Sequence, residues 1–373
     1  MSESVMDTAQ DNSSDVVDQE HDLPPNAFIS SEPFPDTPPI GEEEIKEIAG
    51  YEVENLGGGI LVFKNVFKFD EEPVYQYLDD RAAKSHQNRW EYIEAEDGET
   101  YGINEDGFRY RPEDIPATPV RILHPIDANT PDHAREFFYN MEDTIYKCLL
   151  KYTDYFPLIV GCLWWRNRGH ILRYEGQGVL GAHCDNDTNY KVTEGVRYMP
   201  RGQMAARQTC GALVYLNDCV DTPEELNDRN FVGGYLRFFH LGIEYKPQKG
   251  DIVFFPTNYM ASHDVDRMTD GVRYSYLSFF GQGSGHAEAN IQIVEPQDSI
   301  QWCPAMWMNN IYDDYEKYCK SEYSRISTGE ETYAGINPVY QGRCVAQYGT
   351  THDAESIEDN ANCNTDPVPI DGD

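Results

Sequence analysis

The sequence predicts a mainly β chain with flanking helices, an α+β fold around one β-rich body. Three observations point there. Short β-prone runs fill residues 158–280, namely LIVGCLWW, HILRY, GALVYLN, YLRFF, DIVFFP and YSYLSFF, separated by Gly, Pro, Asn and Asp. Many short strands with turn signals between them read as a sandwich or barrel. Helical spacing occurs on both sides of that stretch. Aromatics make up 13% of the chain, led by 26 Tyr, which suits half-buried strands. With 373 residues and 40% apolar content, the chain can bury a sizeable core.

Taken in order, residues 1–48 are acidic, rich in Ser and Pro and poor in aliphatics, so they read as a disordered tail or a loosely docked arm. Order is expected to begin near Gly50, with GGGILVFKNVFKF (57–69) as a strand entering the fold. Glu71, Glu72 and Pro73 then open a helix that carries Val74, Tyr77 and Leu78 on one face. Thr130 as N-cap and Pro131 at the first helical position start a second helix to about Tyr155. Phe137, Met141, Ile145, Cys148 and Tyr152 form its apolar stripe, suited to pack on the outside of a sheet. Two polar interruptions, 186–209 and 217–232, read as lids, binding loops or surface insertions. From Pro304 to Ser324, Met308, Ile311, Tyr315, Tyr318 and Tyr323 recur at roughly helical spacing, predicting a docked helix. The division is thus a tail at 1–48, a folded domain at 49–298, a helical extension at 299–348 and a second acidic tail at 349–373.

Charge narrows the functional classes. Lys and Arg number 29 against 65 Asp and Glu, a formal charge of -36. Such a surface repels polyphosphates, so nucleic acid is not an expected partner. No run of 18 apolar residues suggests a membrane span, and the opening MSESVMDTAQ lacks the basic and apolar regions of a secretory signal. The nine Cys form no CxxC pair, which fits a reducing, cytoplasmic compartment. The oligomeric state is open.

The chemistry-bearing segment is RYEGQGVLGAHCD at 173–185. It sets His183 and Asp185 two apart, and residues two apart in a strand share a face. One more His from a distant strand would complete a three-ligand face with open positions, the pattern of non-haem iron(II) oxygenases. Alone, His-x-Asp is weak, since roughly one such pair is expected by chance in this chain. The downstream order gives it weight: GGYLRFF at 233–239, KPQKGDIVFFP at 246–256, then ASHDVDRMTDGVRYSY at 261–276. His263 follows the DIVFFP strand, and Arg273 lies ten residues further, able to hold a carboxylate by two prongs.

This order resembles the iron(II)/2-oxoglutarate-dependent dioxygenases, in particular their prolyl-4-hydroxylase-like branch. The resemblance covers 57–281 and is sharpest over 172–280. It implies a double-stranded β-helix, or jelly-roll, with helices packed outside. It further implies that His183, Asp185 and His263 bind iron(II), with Arg273 on the distal carboxylate of 2-oxoglutarate and Tyr215 and Ser275 assisting. O2 is the second cosubstrate, and ascorbate is implied as a support for turnover. Gly233, Gly234 and Gly250 match turn glycines. Leu180 departs from the family, standing where many prolyl hydroxylases have Tyr, and Tyr174 is a candidate to reach the pocket instead. The long segment between Asp185 and Tyr215 also departs. The implied reaction is hydroxylation of a C–H bond of a peptide, prolyl among the options, or of an amino-acid-like substrate, with 2-oxoglutarate decarboxylated to succinate. A carboxylate at 185 favours hydroxylation over halogenation. The alternatives are an iron cupin-type enzyme without 2-oxoglutarate and a non-catalytic jelly-roll binding module. Arg267 is a rival cosubstrate residue. His170, His240 and His286 read as ordinary polar histidines, Cys184 as packing, and Trp164 and Trp165 as core or rim aromatics.

Overall fold

The computed structural model describes residues 39–84, 91–94, 98, 100–103, 109–110, 119–122, 126, 129–163, 165–167, 169–186, 191–193, 196–198, 208–282, 305–308 and 310–328. In chain order its elements are α1 (Glu42–Ala49), β1 (Val53–Gly57), β2 (Ile60–Phe63), α2 (Glu71–Lys84), β3 (Glu91–Glu94), β4 (Thr100–Ile103), β5 (Arg109–Tyr110), β6 (Val120–Ile122) and α3 (Asp132–Tyr155). There follow β7 (Trp165–Asn167), β8 (His170–Glu175), β9 (Leu180–His183), β10 (Lys191–Thr193), β11 (Val196–Tyr198), β12 (Gln208–Tyr215), β13 (Cys219–Val220), β14 (Phe231–Gly233) and β15 (Leu236–Phe238). The chain continues through β16 (Ile243–Tyr245), β17 (Ile252–Pro256), β18 (His263–Val265), β19 (Met268–Gly281), β20 (Ala305–Trp307), α4 (Ile311–Cys319) and α5 (Arg325–Thr328).

Two antiparallel sheets build the body. In the larger, β17, β12, β19 and β8 lie side by side, extended by β2 and β1 beyond β17 and by β6 beyond β8. The smaller runs β16-β15-β18-β9. From β8 onward the chain passes between the two sheets: large, small, large, small twice, large, small, large. That winding is the double-stranded β-helix, and the α+β jelly-roll expected from sequence is the observed class.

Period-2 alternation explains how one sheet serves two cores. On β2, Leu61 and Phe63 face the helices while Ile60 and Val62 face the other sheet. On β17, Ile252 and Phe254 point out, and Val253 and Phe255 point in. The outer core is closed mainly by α3, whose stripe Phe137, Met141, Ile145, Cys148 and Tyr152 is buried as its spacing predicts. The GD turn between β16 and β17 is an anchor for this body. Asp251, 2% exposed, accepts from Lys64 Nζ (2.9 Å), the Asn65 amide (2.7 Å) and the Tyr245 hydroxyl (2.6 Å). Gly250 beside it adopts φ +82°, where a Cβ would sit 2.5 Å from the Phe67 carbonyl.

Several boundaries differ from the sequence reading. The end of the stretch expected as a tail at 1–48 is ordered: α1 is helical and Ile40 and Ile48 are buried, while residues 1–38 lie outside the described residues. Its anchors are remote: the Ile40 amide donates to Asp314 on α4 (3.0 Å) and Lys147 on α3 pairs with Glu47 (2.7 Å). Instead of one strand over 57–69 there is a hairpin, with Gly57, Gly58 and Gly59 at positive φ turning β1 into β2. LIVGCLWW begins as a 3-10 helix (Pro157–Cys162), because Pro157 and the preceding end of α3 set a turn there. The helix expected over 304–324 is shorter, since Ala305–Trp307 pair with β7 and only α4 and α5 are helical. Within the polar stretch 186–209, β10 and β11 form a hairpin. The tail expected at 349–373 lies outside the described residues. No helix among the described residues is long and apolar enough to cross a membrane.

Candidate metal and cosubstrate site

β18 and β9 bring two histidines face to face. His263 and His183 are directly paired across the strands, so both rings emerge on one side, with centroids 4.5 Å apart. Asp185 lies two residues beyond the end of β9, in a turn, rather than on the same strand as His183. The strand argument for their common face therefore fails in detail, yet the turn delivers the carboxylate to the same place. Asp185 Oδ1 is 3.3 Å from His183 Nε2, and its Oδ2 is 3.9 Å from His263 Nε2. Ligand atoms of the three residues all lie within 4.8 Å of one another.

The backbone fixes the imidazole tautomers. His183 Nδ1 meets the Gly181 carbonyl at 2.7 Å, and His263 Nδ1 meets the Ala261 carbonyl at 3.0 Å. A carbonyl only accepts, so each Nδ1 carries the proton and each Nε2 presents a lone pair toward Asp185. Burial holds the His263 imidazole below its usual range, although Asp185 opposes this. Burial works against ionisation of Asp185, but His263 and His183 outweigh it and hold its carboxyl below the usual range. Two imidazole Nε2 atoms and one carboxylate, whose Oδ2 has no hydrogen-bond partner among the described residues, form a donor set suited to a divalent metal.

Deeper between the sheets lies Arg273, fully buried on β19. Its guanidinium carbon is 4.6 Å from the centroid of the Tyr174 ring and 5.2 Å from that of Tyr215. None of its three side-chain nitrogens has a hydrogen-bond partner among the described residues. The same holds for the hydroxyls of Tyr215 and Ser275, both 0% exposed. Burial pushes the Tyr215 hydroxyl up to about 12, with Arg273 pulling the other way, so it stays protonated and can donate. Gly234 leaves room for the arginine stem: at φ +67° a Cβ there would lie 3.4 Å from Arg273 Cδ and 2.9 Å from Met268 Cγ. A buried cation without an anion is costly, and three unmatched donors in a fork fit a carboxylate.

All these side chains fall within residues 169–281, which match the model of the 2OG-Fe(II) oxygenase superfamily. That stretch is similar to a 2OG-Fe(II) oxygenase domain. Such a domain uses iron(II), 2-oxoglutarate and O2, and both parts of the site fit: a His-Asp-His cluster for the metal and an unmatched buried arginine for the cosubstrate. No curated protein matches the chain. Among solved structures, the chain is similar to a Pseudomonas putida prolyl-4-hydroxylase at TM-score 0.35 and 16% identity, over 65% of this chain and 98% of that one. It is similar to the collagen prolyl hydroxylase vCPH of Paramecium Bursaria Chlorella virus-1 at TM-score 0.31 and 15% identity, over 44% and 80%. A prolyl hydroxylase from Trichoplax adhaerens, solved with a hypoxia inducible factor peptide fragment, gives 0.35 and 11%, over 64% and 87%.

The remaining candidates separate. Arg267 is exposed, and Gly234 uses only its carbonyl. His240 is exposed. Leu180 is half-buried on β9, and Cys184 sits between His183 and Asp185. His286, Trp164 and the side chain of Trp165 lie outside the described residues. His170, expected as an ordinary polar histidine, is buried on the interior face of β8 opposite Leu277 and is among the residues that lower the Asp185 carboxyl. Sequence reasoning passed over Gln208 entirely, although it follows the long departure after Asp185 and opens the GALVYLN strand.

Proposed function

We propose that the protein is an iron(II)- and 2-oxoglutarate-dependent hydroxylase acting on a C–H bond of a peptide or amino-acid-like substrate. His183, Asp185 and His263 hold the metal. Arg273 takes the distal carboxylate of 2-oxoglutarate through two prongs, with Tyr215 and Ser275 as further donors and the Tyr174 ring supporting the guanidinium from the other side. The observation that carries this reading is Arg273, a buried cation with three unmatched nitrogens on the same interior as the His-Asp-His cluster. A metal-only enzyme on this scaffold has no use for that anchor. The bound iron and cosubstrate supply the oxidising power, with decarboxylation of 2-oxoglutarate to succinate. The chain's own task is placement. The two backbone carbonyls keep the imidazoles in the ligating tautomer, Asp185 neutralises charge, and the Arg273 end of the pocket excludes water.

Access favours an extended substrate. His183 is 31% exposed, Gly181 and Ala182 on β9 are exposed, and Tyr259 and Met260 stand exposed just before His263. An open rim of this kind accepts a peptide segment, and proline remains a candidate residue through the sequence resemblance.

The test is succinate release by the full chain with iron(II), 2-oxoglutarate and ascorbate under air, together with heat stability in manganese(II). Slow succinate release without substrate is expected, and Asp185→Ala abolishes it. Manganese at a hundred times its dissociation constant adds about 2.7 kcal/mol of stability, and 2-oxoglutarate adds more only when Arg273 is intact. A cosubstrate effect that survives Arg273→Met overturns the assignment.

A further inference from the structure

The interior face holds one more unmatched polar side chain. Gln208 is 5% exposed, and both its Oε1 and Nε2 lack a hydrogen-bond partner among the described residues. A β-bulge decides which way it faces. Cys210 pairs with Phe280 and both belong to the outer core, whereas Gln208 pairs with Gly281. The extra residue, Thr209, reverses the alternation. Directly opposed residues share a face, so Gln208 joins the face that β19 gives to Arg273, Ser275 and Leu277 at alternate positions.

Its height in the barrel is informative. Along β12 the interior positions run Tyr215, beside Arg273, then Leu213, Gly211 and Gln208. A Cβ at Gly211 would touch Phe255 and Phe279, and the Phe255 ring centroid is 5.0 Å from that of His263. Gly211 therefore marks the level of the metal ligands. At 3.3 Å per residue, Tyr215 lies roughly 13 Å to one side of that level and Gln208 roughly 7 Å to the other. The metal site thus stands between the cosubstrate anchor and Gln208. A second path joins the same points. The Asn186 amide, next to Asp185, donates to the Thr257 carbonyl (3.1 Å), and Thr257 donates its amide to the Thr209 carbonyl (3.2 Å) and its hydroxyl to the Gln208 carbonyl (2.7 Å). The backbone of Gln208 is thereby held firmly while its side chain is left unmatched.

A carboxamide offers one acceptor and two donors. A carboxylate or an ammonium satisfies half of it, and a second amide satisfies both halves. We infer that Gln208 is a substrate-binding residue that pairs with a peptide group of the substrate, adjacent to the carbon presented to the metal. This rests on the oxygenase reading above and narrows its substrate class from amino-acid-like molecules to amide-bearing ones.

The experiment uses the full chain with iron(II), 2-oxoglutarate and ascorbate. The probe is a mixture of amino acids, proline included, capped as N-acetyl and C-methylamide, set against the same amino acids uncapped. The capped set is expected to stimulate succinate release by the wild type, and the free set is not. Gln208→Leu raises the KM for the capped set at least tenfold while the dissociation constant of 2-oxoglutarate, measured by titration of the manganese-loaded protein, stays the same. Heat stability is expected to be equal or higher, because two unsatisfied buried groups are gone. Gln208→Glu, which keeps the shape but loses the donors, behaves like Gln208→Leu. Stimulation of Gln208→Leu at an unchanged KM overturns the inference. So does weakening of 2-oxoglutarate binding by the same factor as the KM, or a wild type that responds to the free set alone. Absence of any succinate from the wild type without substrate instead defeats the oxygenase reading beneath it.

Discussion

Strand β19 sends polar side chains in both directions, and the two sets are treated differently. Outward, the Tyr274 hydroxyl donates to Asp79 (2.5 Å), and the Tyr276 hydroxyl donates to the buried Glu142, which also receives Arg166 (3.1 Å). Inward, Arg273 and Ser275 have no partner among the described residues, and across the strand pair neither do Tyr215 and Gln208. Both faces are buried and both belong to the same backbone, so the contrast is not one of solvent access. Folding alone favours matched polar groups on either face. The outward set serves stability, and the inward set is left for a ligand to complete.

The sharpest break between the faces lies at the metal cluster. Asp185→Ala or His263→Ala is expected to reduce 2-oxoglutarate-dependent succinate release by on the order of a thousandfold or more, since the metal contributes several kcal/mol to the reaction. Heat stability without metal should hold, because Asp185 Oδ2 is already unmatched. A large loss of stability in the metal-free variant would put Asp185 with the outward set.

The next pair tests the contrast directly. Glu142→Ala removes the buried carboxylate that receives both Arg166 and the Tyr276 hydroxyl and is expected to cost about 3–5 kcal/mol by denaturant titration. Arg273→Met removes a cation that has no counterion among the described residues, so the protein without cosubstrate should be as stable or more so. The cost appears instead in 2-oxoglutarate affinity, about 3–4 kcal/mol, or roughly two to three orders of magnitude in the dissociation constant. Equal destabilisation by the two substitutions would erase the distinction. A smaller effect is expected at Gly234→Ala. Its φ of +67° and its contact with Arg273 Cδ predict about 1–2 kcal/mol of strain and a displaced guanidinium, read as weaker 2-oxoglutarate binding in excess of the stability loss.

Much of the inward set was legible in the sequence. His183, Asp185, His263 and Arg273 sit in motifs whose order carried the resemblance, and Tyr215 and Ser275 followed from position. What stayed hidden depended on three-dimensional pairing. Gln208 faces inward only because a bulge at Thr209 shifts the register, and no local pattern announces a bulge in QTCGALVYLN. The turn that carries Asp185 was read as strand because His-x-Asp spacing suits either. The order of residues 39–49 was missed for a different reason: the acidic composition predicts disorder, while the partners that hold this segment, Asp314 and Lys147, lie 274 and 100 residues away. The 3-10 turn at Pro157 shows the opposite error, where β-prone composition yielded to a proline at a helix end.

The smallest expected effect concerns the far end of the outward set. Asp154 on α3 is fully buried and caps α5: it accepts from the Ser324 hydroxyl (2.7 Å) and the Arg325 amide (3.0 Å), and Lys151 Nζ lies 3.8 Å away. Asp154→Asn keeps one acceptor and the shape while removing the charge, so a loss of about 1 kcal/mol is expected, the typical worth of a helix cap. The path from α3 to the site runs through the outer core, across β12 and β19, to an interior whose polar groups share none of these bonds. Affinity for 2-oxoglutarate should therefore stay within about twofold, since distant sites without shared partners act additively. A tenfold change in that affinity would mean that the two faces of the sheet are energetically one, and that docking of the C-terminal helices tunes the site.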